Sequence, residues 1–166
     1  MKPEHKTYLR DTELVEKTDI RIALRGALDT LHSEVLLLQT DVLYTERNLA
    51  EELESVSHLL RDLLLFEKIK MQLEDMPLFG ERLEDWRALS HQSYQYMLLP
   101  TPPYKMDSTA ARLNKLRAQT REVELIAAHV YTLHPTEEFE AVQYALNRVS
   151  SSIYVKFCAR LTHMPD

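Results

Sequence analysis

Arg117, Arg121 and Glu124 stand at i, i+4 and i+7 within LNKLRAQTREVE (residues 113–124). On a helix each follows an apolar seam position by one residue, so the stripe they form is rotated about 100° from the seam. Asn147, Ser151 and Tyr154 hold the same offset to Leu146, Ser150 and Ile153 further along the chain. The first stripe offers charged donors and a carboxylate, and the second an amide and hydroxyls. Two such stripes flank a core without entering it and can face one polar cleft. The plainer reading is a wet surface on which Arg121 and Glu124 form an i, i+3 pair, which contributes a few tenths of a kcal/mol, roughly.

Other chemistries find less support. No Glu-x-x-His pair and no HExxH motif accompanies the seven histidines, so His32, His58, His91 and His129 read as satisfied or solvated. With only Gly26 and Gly80 available, neither a phosphate loop nor a dinucleotide fingerprint can be built. Cys158 is the single cysteine, which leaves no internal disulfide and no thiolate cluster, and its neighbours suggest a core residue. No metal site is expected.

The elements that must position the stripes are helical. Two glycines leave little room for the turns of a sheet, while 45% hydrophobic and 28% charged residues mark a globular chain. A length of 166 residues suits one domain, 1–166, in which 1–17 lack a convincing period and read as a flexible N-terminal segment. Thr18 or Asp19 can cap a first helix with Ile20, Leu24, Ala27, Leu28, Leu31, Val35 and Leu38 on one side. A long second helix, with Leu49, Leu53, Val56, Leu60, Leu63, Leu64 and Ile69 at helical spacing, ends before Met76 and Pro77. After the break at Pro77 and Gly80, residues 81–98 read as a shorter helix, and 99–108 as the main loop. Ser108 can cap a fourth helix along Leu113, Leu116, Thr120, Val123, Ala127 and Val130, stopped by Pro135. Thr136, followed by two glutamates, opens a fifth along Phe139, Val142, Leu146, Val149, Ile153 and Phe157. The expected fold is an all-α five-helix bundle.

A net charge of -6 with scattered basic residues argues against nucleic acid as a partner. The most apolar run, residues 34–44, is broken by Asp41 and falls short of the ~20 residues that cross a bilayer. MKPEHKTYLR has no apolar core of a signal peptide, so a reducing cytoplasm is the expected location.

ARLNKLRAQTREVE followed by YALNRVSSSIY resembles the signature helices of the ATP:corrinoid (cobalamin) adenosyltransferase family. That signature has an arginine, a second arginine four later and a glutamate seven later, then a leucine-asparagine-arginine-hydrophobic-serine box. Arg117, Arg121 and Glu124 match it, as do Leu146, Asn147, Arg148, Val149 and Ser150. TDIRIALRGALDTLHSEV (18–35) looks like the family's first helix, with Asp29 where an aspartate opposes the first signature arginine across a subunit boundary. LSHQSYQYMLLP (89–100) resembles the ethanolamine-utilisation branch in particular, and the likeness extends over about residues 18–160.

The resemblance implies transfer of the 5′-deoxyadenosyl group of ATP, with a divalent cation such as Mg, to the cobalt of reduced cobalamin or a related corrinoid, and release of triphosphate. It implies that Arg121 and Arg148 bind phosphate oxygens through paired donors. Asn147 would read ATP, Glu124 would orient an arginine or a ribose hydroxyl, and Arg117 with Asp29 would form an intersubunit ion pair in a homotrimer. Met97 with Tyr96 stands where relatives build an apolar wall against the corrinoid, with Tyr94 and Tyr104 near in sequence. A flavoprotein reductant, a corrinoid-dependent enzyme and a bacterial microcompartment are the implied associations.

Three departures stand against the pattern. MKPEHKTYLRDTELVEKTD has no glycine where many members wrap the triphosphate, leaving Lys6, Thr7, Lys17 and Thr18 as substitutes, of which Lys17 is the candidate for ATP. The cysteines of the ethanolamine branch's metal segment are missing, and Ser151 replaces a frequent aspartate. The competing expectation is a helical assembly, corrinoid-binding or scaffold protein that keeps the bundle without catalysis.

Overall fold

The computed structural model describes residues 2–9, 13–65, 73, 76–92 and 106–162. In chain order the elements are β1 (Lys6–Tyr8), β2 (Leu14–Glu16), α1 (Ile20–Val42), α2 (Arg47–Leu64), β3 (Pro77–Leu78), β4 (Glu81–Arg82), α3 (Asp85–Gln92), α4 (Ser108–Leu133) and α5 (Glu137–Thr162). Five helices thus stand among the described residues, as the apolar periodicity predicts. The seams of the two long C-terminal helices are buried at every position named from the sequence, Leu113 to Val130 on α4 and Phe139 to Phe157 on α5.

Pro135 cannot continue a helix, so α4 ends at Leu133 and α5 opens at Glu137, with the Thr136 hydroxyl accepting from the Phe139 N–H. So short a connection folds α5 back along α4. Helix α1 packs on both α2 and α4, and α3 lies on α5. Leu24, Leu28, Leu31 and Val35 of α1, Leu53, Val56 and Leu60 of α2, and the two long seams form one buried cluster. Each such side chain, taken fully out of water, stabilises the fold by about 1.5–3 kcal/mol.

The structure corrects the reading at three places. Within the segment 1–17, the described residues include a hairpin in which β1 and β2 pair antiparallel with Thr7 opposite Val15. Arg21 clamps this hairpin to α1, donating to Glu13 Oε1 at 2.8 Å and to both carboxylate oxygens of the capping Asp19. Arg25 adds bonds to the carbonyls of Tyr8 and Leu9. These contacts join side chains on α1 to the chain's start, and hydrophobic periodicity does not report them.

Residues 81–98 do not form one helix either. Pro77–Leu78 and Glu81–Arg82 make a second small hairpin around Phe79 (φ 51°) and Gly80 (φ 85°), and α3 begins only at Asp85. Phe79 tolerates the left-handed backbone because its N–H donates to Ser55 Oγ at 2.9 Å and its ring meets Trp86 edge-on at 6.1 Å. Helix α2 is described to Leu64 only, so Ile69 and the expected end of that helix lie outside the described residues. Finally, α4 is capped by Asp107, whose carboxylate accepts from the Ala110 N–H at 2.7 Å, and not by Ser108.

Asp107 has a second role. Arg160 near the end of α5 donates to both its oxygens at 2.9 and 2.8 Å and reaches Glu46 at the start of α2 at 3.0 Å, tying three helices together. The guanidinium holds both carboxyls below their usual range. Carboxyls of lowered pKa add stability above about pH 4 and lose it as the pH falls through their folded-state values. Arg160→Met is therefore expected to cost about 1–2 kcal/mol near neutral pH, discounted for partial exposure, and to flatten the loss of stability below about pH 4. Urea melts at a series of pH values measure both.

Candidate functional site

Helices α4 and α5 run in opposite directions, and two contacts register them. The Arg117 guanidinium lies 5.8 Å from the centroid of the Tyr154 ring. At the other end of the stripes, Asn147 Nδ2 donates to Glu124 Oε1 at 2.9 Å. Residues 117 and 124 thus face 154 and 147 respectively, so the stripes lie side by side along their whole length.

Between them opens a hollow of about 500 Å³, lined by Arg117, Arg121 and Glu124 from α4 and by Asn147, Ser150, Ser151 and Tyr154 from α5. Its remaining wall is Ser90 and His91, at the end of α3. A second hollow of about 580 Å³ adjoins it across Glu124 and Asn147, where Arg87, Glu140, Gln143, Tyr144 and Arg148 join the lining. A larger hollow of about 660 Å³ lies at the turn between α1 and α2, but it touches neither stripe.

Within the cleft the side chains are partly committed. Arg117 donates through Nε to Asn114 Oδ1 at 3.1 Å. Arg121 is exposed. Arg148 is buried, donates through Nη1 to Asn147 Oδ1 at 2.5 Å and stacks 4.4 Å from the centroid of Tyr144. Ser150 Oγ donates to the Asn147 carbonyl at 3.0 Å. Burial pushes the Tyr154 hydroxyl and the Cys158 thiol up from their ordinary values, and the two groups bond to each other, so Cys158 packs as core.

Other residues named from the sequence stand apart. Asp29 is exposed on α1 and does not line the cleft of its own chain. Lys17 is exposed just after β2, its N–H given to the His5 carbonyl at 2.8 Å, and it lines neither hollow. Met97, Tyr96, Tyr94 and Tyr104 lie outside the described residues. The contributions of α3 were not foreseen, His91 being expected as a satisfied or solvated histidine, because only the docking of α3 on α5 brings them to the stripes. Arg87, Gln143 and Tyr144 were missed for a related reason: each belongs to an ordinary helical surface until a neighbour closes over it. Among the described residues no three His, Cys, Asp or Glu side chains gather as a metal site.

A sequence profile of the cobalamin adenosyltransferase family matches residues 1–160. The chain belongs to this family. Among curated proteins it is similar to the corrinoid adenosyltransferase EutT of Escherichia coli strain K12, 31% identical over 173 residues that cover 99% of this chain. It is equally similar to EutT of Salmonella typhimurium strain LT2, 31% identical over 176 residues. The chain spans 61% of the length of these relatives. No solved structure gives a significant match. Membership in the cobalamin adenosyltransferase family agrees with the five helices, and no helix among the described residues is long and apolar enough to cross a membrane.

Proposed function

We propose that the chain is an ATP:corrinoid adenosyltransferase and that the cleft between α4 and α5 is its nucleotide site. The observation that carries this reading is the meeting of both stripes in one hollow, with Arg117 and Arg121 beside the Glu124–Asn147 hydrogen bond. In the reaction, cobalt(I) of the corrinoid attacks C5′ of ATP. A cobalt–carbon bond forms, the C5′–O bond breaks, and triphosphate leaves with the electron pair.

The protein's part is to orient the two substrates and to stabilise the charge gathering on the leaving group. Arg121 supplies paired donors to the departing phosphates, with Arg117 adding positive charge at the same end. Glu124 is held by Asn147 in a position to take a ribose hydroxyl, while Asn147 reads the nucleotide. A magnesium ion would enter as the counter-ion of the triphosphate.

Further parts of the proposal rest on the family resemblance. Three copies would assemble so that Asp29 of one meets Arg117 of the next, and Met97 with Tyr96 would form the apolar wall at the corrinoid, while Lys17 would reach the phosphates in place of the family's glycine-rich segment. The setting would be the cytoplasm, with a flavoprotein supplying electrons and a corrinoid-dependent enzyme of ethanolamine utilisation, in a microcompartment, taking the product.

The test is direct. With ATP, magnesium and chemically reduced cobalamin, the chain is expected to convert the corrinoid spectrum to that of the alkylated, light-sensitive product. An unchanged spectrum with folded, assembled protein would favour the non-catalytic scaffold instead.

A further inference from the structure

Among the described residues, Arg148 is the one charged residue in the buried set, 7% exposed. A guanidinium taken out of water destabilises the fold unless its donors and its faces are occupied. Two contacts hold this one: Nη1 donates to Asn147 Oδ1 at 2.5 Å, and Cζ lies 4.4 Å from the centroid of the Tyr144 ring. Its Nε is buried with no hydrogen-bond partner among the described residues. The guanidinium therefore stays in place chiefly through Asn147 and Tyr144.

The Asn147 amide is held at both ends in consequence. Its oxygen accepts from Arg148 and its nitrogen donates to Glu124 Oε1 at 2.9 Å. Turning the amide over would press NH₂ against a guanidinium and C=O against a carboxylate, repulsive at each end. One N–H of Asn147 is left uncommitted, and it has a single direction.

We propose that Tyr144 and Arg148 are positioning residues for Asn147: the ring fixes the guanidinium, and the guanidinium locks the amide that reads the nucleotide. This assigns to Arg148 an action through Asn147 in place of direct contact with phosphate, and it rests on the nucleotide reading of the cleft. Tyr144 is 37% exposed, so its removal leaves the helical core in place.

The test uses Tyr144→Phe, Tyr144→Ala and Asn147→Ala, singly and with the two alanine changes combined, in the adenosylation assay with ATP varied. Tyr144→Phe keeps the stacking face and should match the wild type within about twofold, whereas Tyr144→Ala should lose about tenfold in kcat/KM for ATP, a stacking contribution of ordinary size. In the Asn147→Ala background the same change should have no further effect, because the two act as one unit. In nitrogen-15 spectra the Asn147 side-chain amide should keep its shift in Tyr144→Phe and move toward the free-amide position in Tyr144→Ala.

Equal losses in the Phe and Ala variants, an additive loss in the double variant, or an unmoved amide signal would overturn the positioning role. A wild-type chain that makes no alkylated corrinoid would instead overturn the functional reading, and this inference with it.

Discussion

Arg121→Ala is expected to lower kcat/KM for adenosyl transfer by about 10²–10³-fold, the loss typical of removing one donor aimed at developing negative charge. Arg121 is exposed, lines the cleft, and forms no hydrogen bond or ion pair among the described residues, so the fold asks nothing of it. Its thermal melt should therefore match the wild type. Arg121→Lys should recover only part of the rate, since an ammonium retains the charge and lacks the planar pair of donors. Initial rates at saturating reduced corrinoid, with ATP varied, give the numbers. If Arg121→Ala turned over normally, the phosphate end of the cleft would have to be placed elsewhere.

The second large effect concerns Asp29 and Arg117. Within one chain they are not partners: Arg117 bonds Asn114 and faces Tyr154, while Asp29 is exposed on α1 with its carbonyl accepting from Ser33 Oγ. A pair formed between copies would lose its solvent on assembly, and Asp29→Ala would leave Arg117 buried and uncompensated at a cost of about 3–5 kcal/mol per contact. Assembly and turnover should fall together, and the exchange of charges, Asp29→Arg with Arg117→Asp, should restore assembly before activity. Sedimentation of each variant beside its rate decides the matter, and a wild type that sediments as a monomer removes the pair.

Where burial alone sets the structure, the fold is legible in the residues. Leu113, Leu116, Thr120 and Val123 alternate steps of three and four because a helix in a bundle must bury them, and all four are buried. The stripe beside them followed from a fixed offset of one residue, and so did its partner on α5, which is why the cleft between Arg117, Glu124, Asn147 and Tyr154 was legible. What escaped depends on side chains meeting across elements. The hairpin of Lys6–Tyr8 and Leu14–Glu16 is too short to show alternation, and the Arg21 and Arg25 bonds that anchor it leave no periodic trace. The turn at Phe79 and Gly80 places a phenylalanine at positive φ, a choice no propensity favours, made possible by Ser55 and Trp86. The family resemblance implies that Arg148 binds phosphate oxygens, yet its position between Leu146 and Val149 carries it inward, where its guanidinium lies over the Tyr144 ring.

The antiparallel register of α4 and α5 gives the cleft a direction. Seven residues of helix advance about 10.5 Å, so the Arg117–Tyr154 contact and the Glu124–Asn147 contact stand about that far apart. At one pole a guanidinium faces an aromatic ring, and at the other the Glu124 carboxylate is bonded to Asn147 with Arg148 and Arg87 close by. In the proposed nucleotide site the two ends would thus offer a ligand different partners, a guanidinium beside a ring at one and a carboxylate bonded to an amide at the other, about two helical turns apart.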